Sequence, residues 1–191
     1  MQTAETGFFT LAVNNKKFNL VASLRNMAKI ASATRILLLY DVIHSRNVPD
    51  AHRVNLAHEI LTACSDNDKI EKYLIKHAYG EVIAGKNAIS ANDQVHVAAA
   101  LMRHGIAGVN RPKNAGSGKP NKKKIEKFDI NRVVAEAMIH FGLSKTEALD
   151  LTMSEFYYLL AAKFPEDSVK QDIPSVDAHR EVMKAFYEGQ K

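Results

Sequence analysis

The stretch "GLSKTEALDLTMSEFYYLLAAKFP", from Gly142 to Pro165, contains two signals for the start of a helix. Each has the form of a capping box, in which a hydroxyl and a carboxylate satisfy free backbone N–H groups. The two boxes are Ser144-x-x-Glu147 and Thr152-x-x-Glu155. Because they lie so close together, the stretch predicts a short helix, a sharp turn and a second helix that ends before Pro165. This shape is compatible with a DNA-binding helix-turn-helix and with a pair of helices that binds protein.

The side chains of the second helix favour protein contact over DNA contact. A recognition helix presents Arg, Lys, Asn or Gln to the DNA, whereas this helix is rich in aromatic and aliphatic residues. Its helical stripe of core candidates comprises Met153, Phe156, Tyr157, Leu160, Ala161 and Phe164. Further apolar residues lie off that stripe, so the helix is either deeply buried or offers a second face to a partner. The candidate protein-binding residues are Phe156, Tyr158, Leu159 and Ala162.

The net charge of +5 is concentrated in one short segment. Residues 111–127 carry seven basic and one acidic side chain, whereas residues 128–191 carry seven basic and eleven acidic ones. The segment contains two prolines and two glycines and reads as a linker. Its lysines are the alternative candidates for non-specific nucleic-acid contact: Lys119, Lys122, Lys123 and Lys124. No aromatic residue accompanies them, and this disfavours nucleic acid as the partner.

Local patterns predict a mainly α fold with an N-terminal β-hairpin. The hairpin consists of Phe8 to Val13, a turn at Asn14-Asn15-Lys16, and Lys17 to Val21. Helices are then expected at Ser23 to Ile30, Thr34 to Ser45, Asp50 to Cys64, Asp66 or Asn67 to Gly80, Ser90 to His104, Asp129 to Phe141, the two helices of the opening stretch, and Ser175 to about Glu188. Glu81 to Asn87 reads as irregular, and Gly105 as a positive-φ residue that ends its helix. The predicted organisation is an N-terminal domain (1–110), a basic linker (111–127) and a C-terminal helical subdomain (128–191).

No catalytic, metal or cofactor motif emerges from the sequence, so we expect a protein without enzymatic activity, metal or cofactor. The histidines lack the i, i+4 spacing of a helical metal site, and His104 reads as a helix-end residue whose charged form the helix dipole favours. The single cysteine, Cys64, reads as a buried thiol. "GSGK" at Gly116 to Lys119 lacks the strand and the helix of a phosphate-binding loop. The N-terminus does not have the pattern of a secretory signal, and the longest apolar run is too short to cross a bilayer.

Several segments, in the same order, resemble a family of tailed-bacteriophage proteins of unknown function found among tail genes. The segments are "FNLVASLRNMAKI" (Phe18 to Ile30), "ILTACSDND" (Ile60 to Asp68), "VAAALMRHGIAG" (Val97 to Gly108), the opening stretch, and "IPSVDAHREVMKAF" (Ile173 to Phe186). The opening stretch is also similar to the C-terminal helical segment of phage tail assembly chaperones, which bind the tape-measure protein and help recruit tail-tube subunits.

The resemblance implies a tail morphogenesis factor, with the tape-measure or tail-tube protein as its partner. It implies a location in the host cell cytoplasm, or in the virion if the protein is a permanent component. The sequence leaves homo-oligomerisation open and gives no reason to expect a membrane partner. A structural or DNA-contacting virion protein that uses residues 111–127 is the alternative.

Overall fold

The computed structural model of the chain describes residues 6–109 and 127–164. The described part is mainly α-helical with two small β-hairpins, and the predicted fold class is confirmed. Its elements are β1 (Phe8–Val13), β2 (Lys16–Val21), α1 (Leu24–Ile30), α2 (Arg35–His44), α3 (Asp50–Cys64), a 3₁₀ helix (Asp68–Tyr73), β3 (Ile75–Ala78), β4 (Glu81–Ala84), α4 (Ala91–Met102), a π turn (Arg103–Ala107), α5 (Ile130–Phe141), α6 (Lys145–Asp150) and α7 (Met153–Lys163).

The N-terminal hairpin forms where the sequence predicts it. Asn14 and Asn15 have φ of 49° and 61°, the left-handed values that a two-residue hairpin turn requires. Alternate side chains of the hairpin point inward, so that Phe9, Phe18 and Leu20 are buried. The hairpin is thus an amphipathic sheet that packs its apolar face on the helices.

The main core lies between this hairpin and α1 to α4. In α3, buried apolar residues recur at helical spacing, including Val54, Leu61 and Cys64. The predicted position of α3 is confirmed, although Pro49 is its N-cap and Asp50 lies in the first turn. Burial raises the pKa of the Cys64 thiol to about 12, in accord with a structural thiol.

The predicted helix from Asp66 or Asn67 to Gly80 is wrong. The chain forms one short 3₁₀ helix there and then enters β3, which pairs antiparallel with β4. The prediction of an irregular Glu81 to Asn87 is therefore also wrong over β4. The turn between the strands consists of Tyr79 and Gly80, whose φ values of 55° and 83° are those of a tight hairpin turn.

The end of α4 also differs from the prediction. The helix continues past Met102 as a π turn, and the positive φ that ends it belongs to Gly108 (70°), not to Gly105. The backbone at Gly105 instead approaches the side chain of Met27, because a Cβ there would lie 2.6 Å from the Met27 sulfur. Gly105 thus allows the π turn to pack closely on α1, because a Cβ there would force the buried Met27 side chain to shift.

The two capping boxes of the opening stretch are both present. Ser144 accepts a hydrogen bond from the N–H of Glu147, and Thr152 accepts one from the N–H of Glu155. The preceding helix α5 is capped by Asp129 and ends at Gly142, whose φ is 68°. A second core joins these helices to α1 and consists of Leu24, Val134, Ala137, Ala148, Met153 and Phe156.

Backbone hydrogen bonds attach the C-terminal helices to the N-terminal part of the chain. Leu24 N–H donates to Leu151 O at 2.8 Å, and Phe128 N–H donates to Ala33 O at 2.8 Å. The predicted division into two domains stays a prediction. Residues 111–126 of the predicted linker, Pro165, and the predicted helix from Ser175 to about Glu188 lie outside the described residues.

Candidate functional site

Helix α7 divides into an inner and an outer face. Met153 and Phe156 lie on the inner face and are 3% and 2% exposed. Tyr158 and Ala162, four residues apart on the outer face, are both exposed. The Tyr158 side chain is 68% exposed, a large value for an aromatic residue. Leu159, on the flank of this face, is half-buried.

Three of the four predicted protein-binding residues therefore lie at or near the surface, and Phe156 does not. Its ring packs edge-on against Phe141, with 6.0 Å between ring centroids, and lies 5.8 Å from the ring of Tyr157. Because Phe156 fills the second core, it is unavailable to a partner in this conformation. Tyr158, Leu159 and Ala162 define the surface that we call the outer face of α7.

A buried polar cluster fixes α7 against the π turn. The Ser154 hydroxyl lies 2.9 Å from Nδ1 of His104, and the N–H of Val109 donates to the same hydroxyl at 2.9 Å. If the imidazole is neutral and its Nδ1 accepts a hydrogen bond from the Ser154 hydroxyl, then Nδ1, the hydroxyl and the N–H of Val109 all have partners. Burial lowers the pKa of His104, and the neighbouring Arg103 lowers it further. The net effect on His104 thus favours the neutral imidazole, opposite in direction to the effect expected from the helix dipole.

Thr152 adds a second tie at the start of α7. Its hydroxyl caps the helix and also donates to Thr6 O at 2.6 Å. Thr152 is fully buried and forms a β-bridge with Ser23. The outer face of α7 is thus carried on a helix whose start and inner side are both fixed by specific hydrogen bonds.

Exposed apolar residues continue beyond α7. Phe164 is 37% exposed, and its ring packs edge-on against His140 of α5 at 5.6 Å. Met138 and Ile139 of α5 are 39% and 78% exposed. The sequence pattern placed Phe164 on the core stripe of α7, whereas the structure leaves it partly exposed.

A cleft of about 620 Å³ lies on the inner side of α7, between α2, the π turn and α5. Its apolar wall includes Leu37, Tyr40 and Tyr157, and charged residues that include Asp41 and Arg132 lie among its lining. Sequence reasoning missed this cleft because its walls come from elements far apart in the chain.

The alternative nucleic-acid residues, Lys119, Lys122, Lys123 and Lys124, lie outside the described residues. Among the described residues, no three His, Cys, Asp or Glu side chains are grouped so that they could hold a metal ion. None of the helices in residues 6–109 and 127–164 combines the length and the apolar character needed to span a bilayer.

Residues 19–181 match a family described as a family of unknown function, DUF6246. The chain belongs to this family. The match begins within β2, so it leaves out β1, and it includes the second hairpin and every helix described above. No curated protein and no solved structure matches the chain.

Proposed function

We propose that this protein is a non-enzymatic bacteriophage tail morphogenesis factor, most specifically a tail assembly chaperone. In this proposal, it binds the tape-measure or tail-tube protein through the outer face of α7, in the cytoplasm of the host cell. The observation that carries the proposal is the exposure of Tyr158 on a helix that the sequence likens to the C-terminal segment of such chaperones.

The chemistry of this face suits a protein partner. Tyrosine is enriched among the residues that contribute most to binding energy, because its ring is large and its hydroxyl tolerates a polar rim. Transfer of the exposed part of the Tyr158 ring from water into an interface contributes roughly 2 kcal/mol. Ala162, one turn later, leaves room for a partner side chain beside that ring.

The rigidity of α7 also supports the proposal. The helix is fixed by its capping box, by the bond from Thr152 to Thr6 and by the Ser154–His104 contact. A surface that is ordered before binding loses little conformational entropy on association. The outer face can therefore act as a preformed docking surface.

A pull-down from extracts that contain the cognate tape-measure and tail-tube proteins tests the proposal. We expect the full chain to retain one of the two proteins, and the double variant Tyr158→Ala/Leu159→Ala to lose most of that binding. Unchanged retention by the double variant would remove these residues from the interface.

Mass spectrometry of purified phage particles separates a chaperone from a permanent virion component. A chaperone acts during assembly and leaves, so we expect peptides of the tape-measure protein without peptides of this chain. Stoichiometric amounts of the chain in mature particles would contradict the chaperone assignment.

A further inference from the structure

The second hairpin, β3–β4, lies on α3, and its strand β3 is held from the inner side by two amide side chains. Asn55 of α3 exchanges two hydrogen bonds with the backbone of His77, at 2.6 and 2.9 Å. Gln94 of α4, fully buried, exchanges two with the backbone of Ile75, at 2.7 and 2.8 Å. These two amides thus take the place of a neighbouring strand along the inner edge of β3.

The outer edge of β4 has the same pattern of outward backbone groups. His77 pairs with Val82 and Ile75 with Ala84, and in both pairs the β3 residue directs its N–H and C=O away from the hairpin. Opposed residues of an antiparallel pair share this orientation, so Val82 and Ala84 direct their N–H and C=O outward from β4. No group in the described part of the chain hydrogen-bonds to these outward positions.

The side chains along this edge are apolar and exposed. All four residues of β4 are exposed, and the exposed fractions of Val82 and Ile83 are 62% and 46%. Natural proteins protect open strand edges with charge, proline or a covering loop, because an open edge pairs readily with another chain. Here the strand carries one charge, at Glu81, and no proline.

A cleft of about 420 Å³ lies on the face of the hairpin that Ile83 shares with its cross-strand partner Lys76, and His58 of α3 also lines it. A strand added to β4 would direct alternate side chains to this face. Two lysines, Lys72 and Lys76, line it together with one carboxylate, Glu71, and the apolar Leu74. Neither lysine has an ion-pair partner in the part of the chain that the structure describes. The cleft therefore complements a segment that combines apolar residues with an acidic one.

We propose that β4 is a docking edge that accepts an extended, apolar and acidic segment of a partner protein as a third strand. Backbone hydrogen bonds to Val82 and Ala84 would hold the segment, and Lys72 and Lys76 would select its acidic residue. The Asn55 and Gln94 contacts keep the edge in place before binding. This surface shares no residue with the outer face of α7, so either proposal can fail without the other.

The probe is a synthetic peptide of about eight residues that alternates Val and Thr and carries two Asp residues. A control peptide has the same sequence with N-methyl groups on alternate backbone amides, which removes donors and leaves the side chains intact. In amide NMR spectra of the isotope-labelled full chain, we expect saturable shifts at Val82 and Ala84 with the first peptide and none with the control. Equal binding of both peptides, or no shift in β4, would overturn the proposal.

Two variants make the test independent of any single substitution. Val82→Pro removes an outward donor that the pairing with β3 does not use, so we expect a native spectrum and about tenfold weaker peptide binding. Lys76→Glu should weaken binding of the Asp peptide and strengthen binding of the same peptide with Lys in place of Asp. An unchanged charge preference would remove the acidic partner from the proposal, even if Val82→Pro failed to fold.

The competing occupant of the edge is a second copy of this chain. Light scattering of the full chain distinguishes it, because pairing between two β4 strands would give a dimer that Val82→Pro dissociates. Such a dimer would overturn the proposed partner segment.

Discussion

The hydroxyl of Thr152 is expected to stabilise the fold more than that of Ser144, although both residues cap a helix. Each hydroxyl accepts a bond from the N3 backbone N–H of its helix. Loss of an N-cap costs about 1 kcal/mol. The hydroxyl of Thr152, a fully buried residue, also donates to the backbone carbonyl of Thr6, an exposed residue. Loss of that bond adds about 1 kcal/mol, the net contribution of an ordinary intramolecular hydrogen bond. We therefore expect Thr152→Ala to lower the free energy of unfolding by roughly 2 kcal/mol and Ser144→Ala by about 1 kcal/mol.

Urea denaturation, followed by circular dichroism, measures both values under the same conditions. Thr152→Ser is the matched control, since it keeps the hydroxyl and removes only a methyl group. We expect it to retain most of the stability that Thr152→Ala loses. If Thr152→Ala and Ser144→Ala cost the same, the bond to Thr6 contributes nothing and the reasoning is refuted.

Three further perturbations test other contacts of the fold. Burial lowers the pKa of His104 in the folded chain, so the unfolded chain binds more protons in acid than the folded chain does. The free energy of unfolding should therefore fall as the pH drops below about 6.5. Urea titrations at several pH values should show a smaller fall for His104→Asn than for the native chain. Because the pKa of Cys64 is raised to about 12, the native protein should resist iodoacetamide at neutral pH and react once it is unfolded. Rapid labelling of the native protein, measured by mass spectrometry, would contradict the burial of Cys64. Gly105→Ala should lower the free energy of unfolding by about 2 kcal/mol through its clash with Met27, and by less in a Met27→Ala background. If the effects of the two substitutions simply add in the double variant, the clash is excluded.

Elements that depend on local signals could be predicted from the sequence. The first hairpin depends on two asparagines that tolerate positive φ, and the caps of α6 and α7 depend on residues three positions apart. In each case, the residues that determine the conformation are neighbours in the chain. The amphipathic pattern of α5 is equally local.

The second hairpin could not be predicted in the same way. Ile70, Tyr73, Leu74 and His77 happen to follow helical spacing, and this pattern concealed the change from 3₁₀ helix to strand. What stabilises β3 is its contact with Asn55 and Gln94, 22 and 19 residues away from the positions they bind. The π turn likewise depends on the approach of Gly105 to Met27, a tertiary contact that leaves no local pattern.

In the candidate site, the division of α7 into inner and outer side chains could be predicted, because helical periodicity is a local pattern. Periodicity correctly placed Phe156 on the inner stripe of α7 and Tyr158 outside it. It did not reveal whether the outer residues are covered by the rest of the fold, because burial depends on elements distant in sequence. The structure leaves Tyr158 and Ala162 exposed and Leu159 half-buried.

The most direct test of the proposed function is the dissociation constant of the full chain for the cognate tape-measure protein, measured by calorimetry. Ala162→Arg places a long charged side chain on the outer face of α7, and Ala135→Arg makes the same change at an exposed position of α5. We expect binding by the native chain, about tenfold or more weakening by Ala162→Arg, and a change within about twofold for Ala135→Arg. No binding by the native chain would contradict the tape-measure protein as the partner, and equal effects of the two variants would contradict the outer face of α7 as the docking surface.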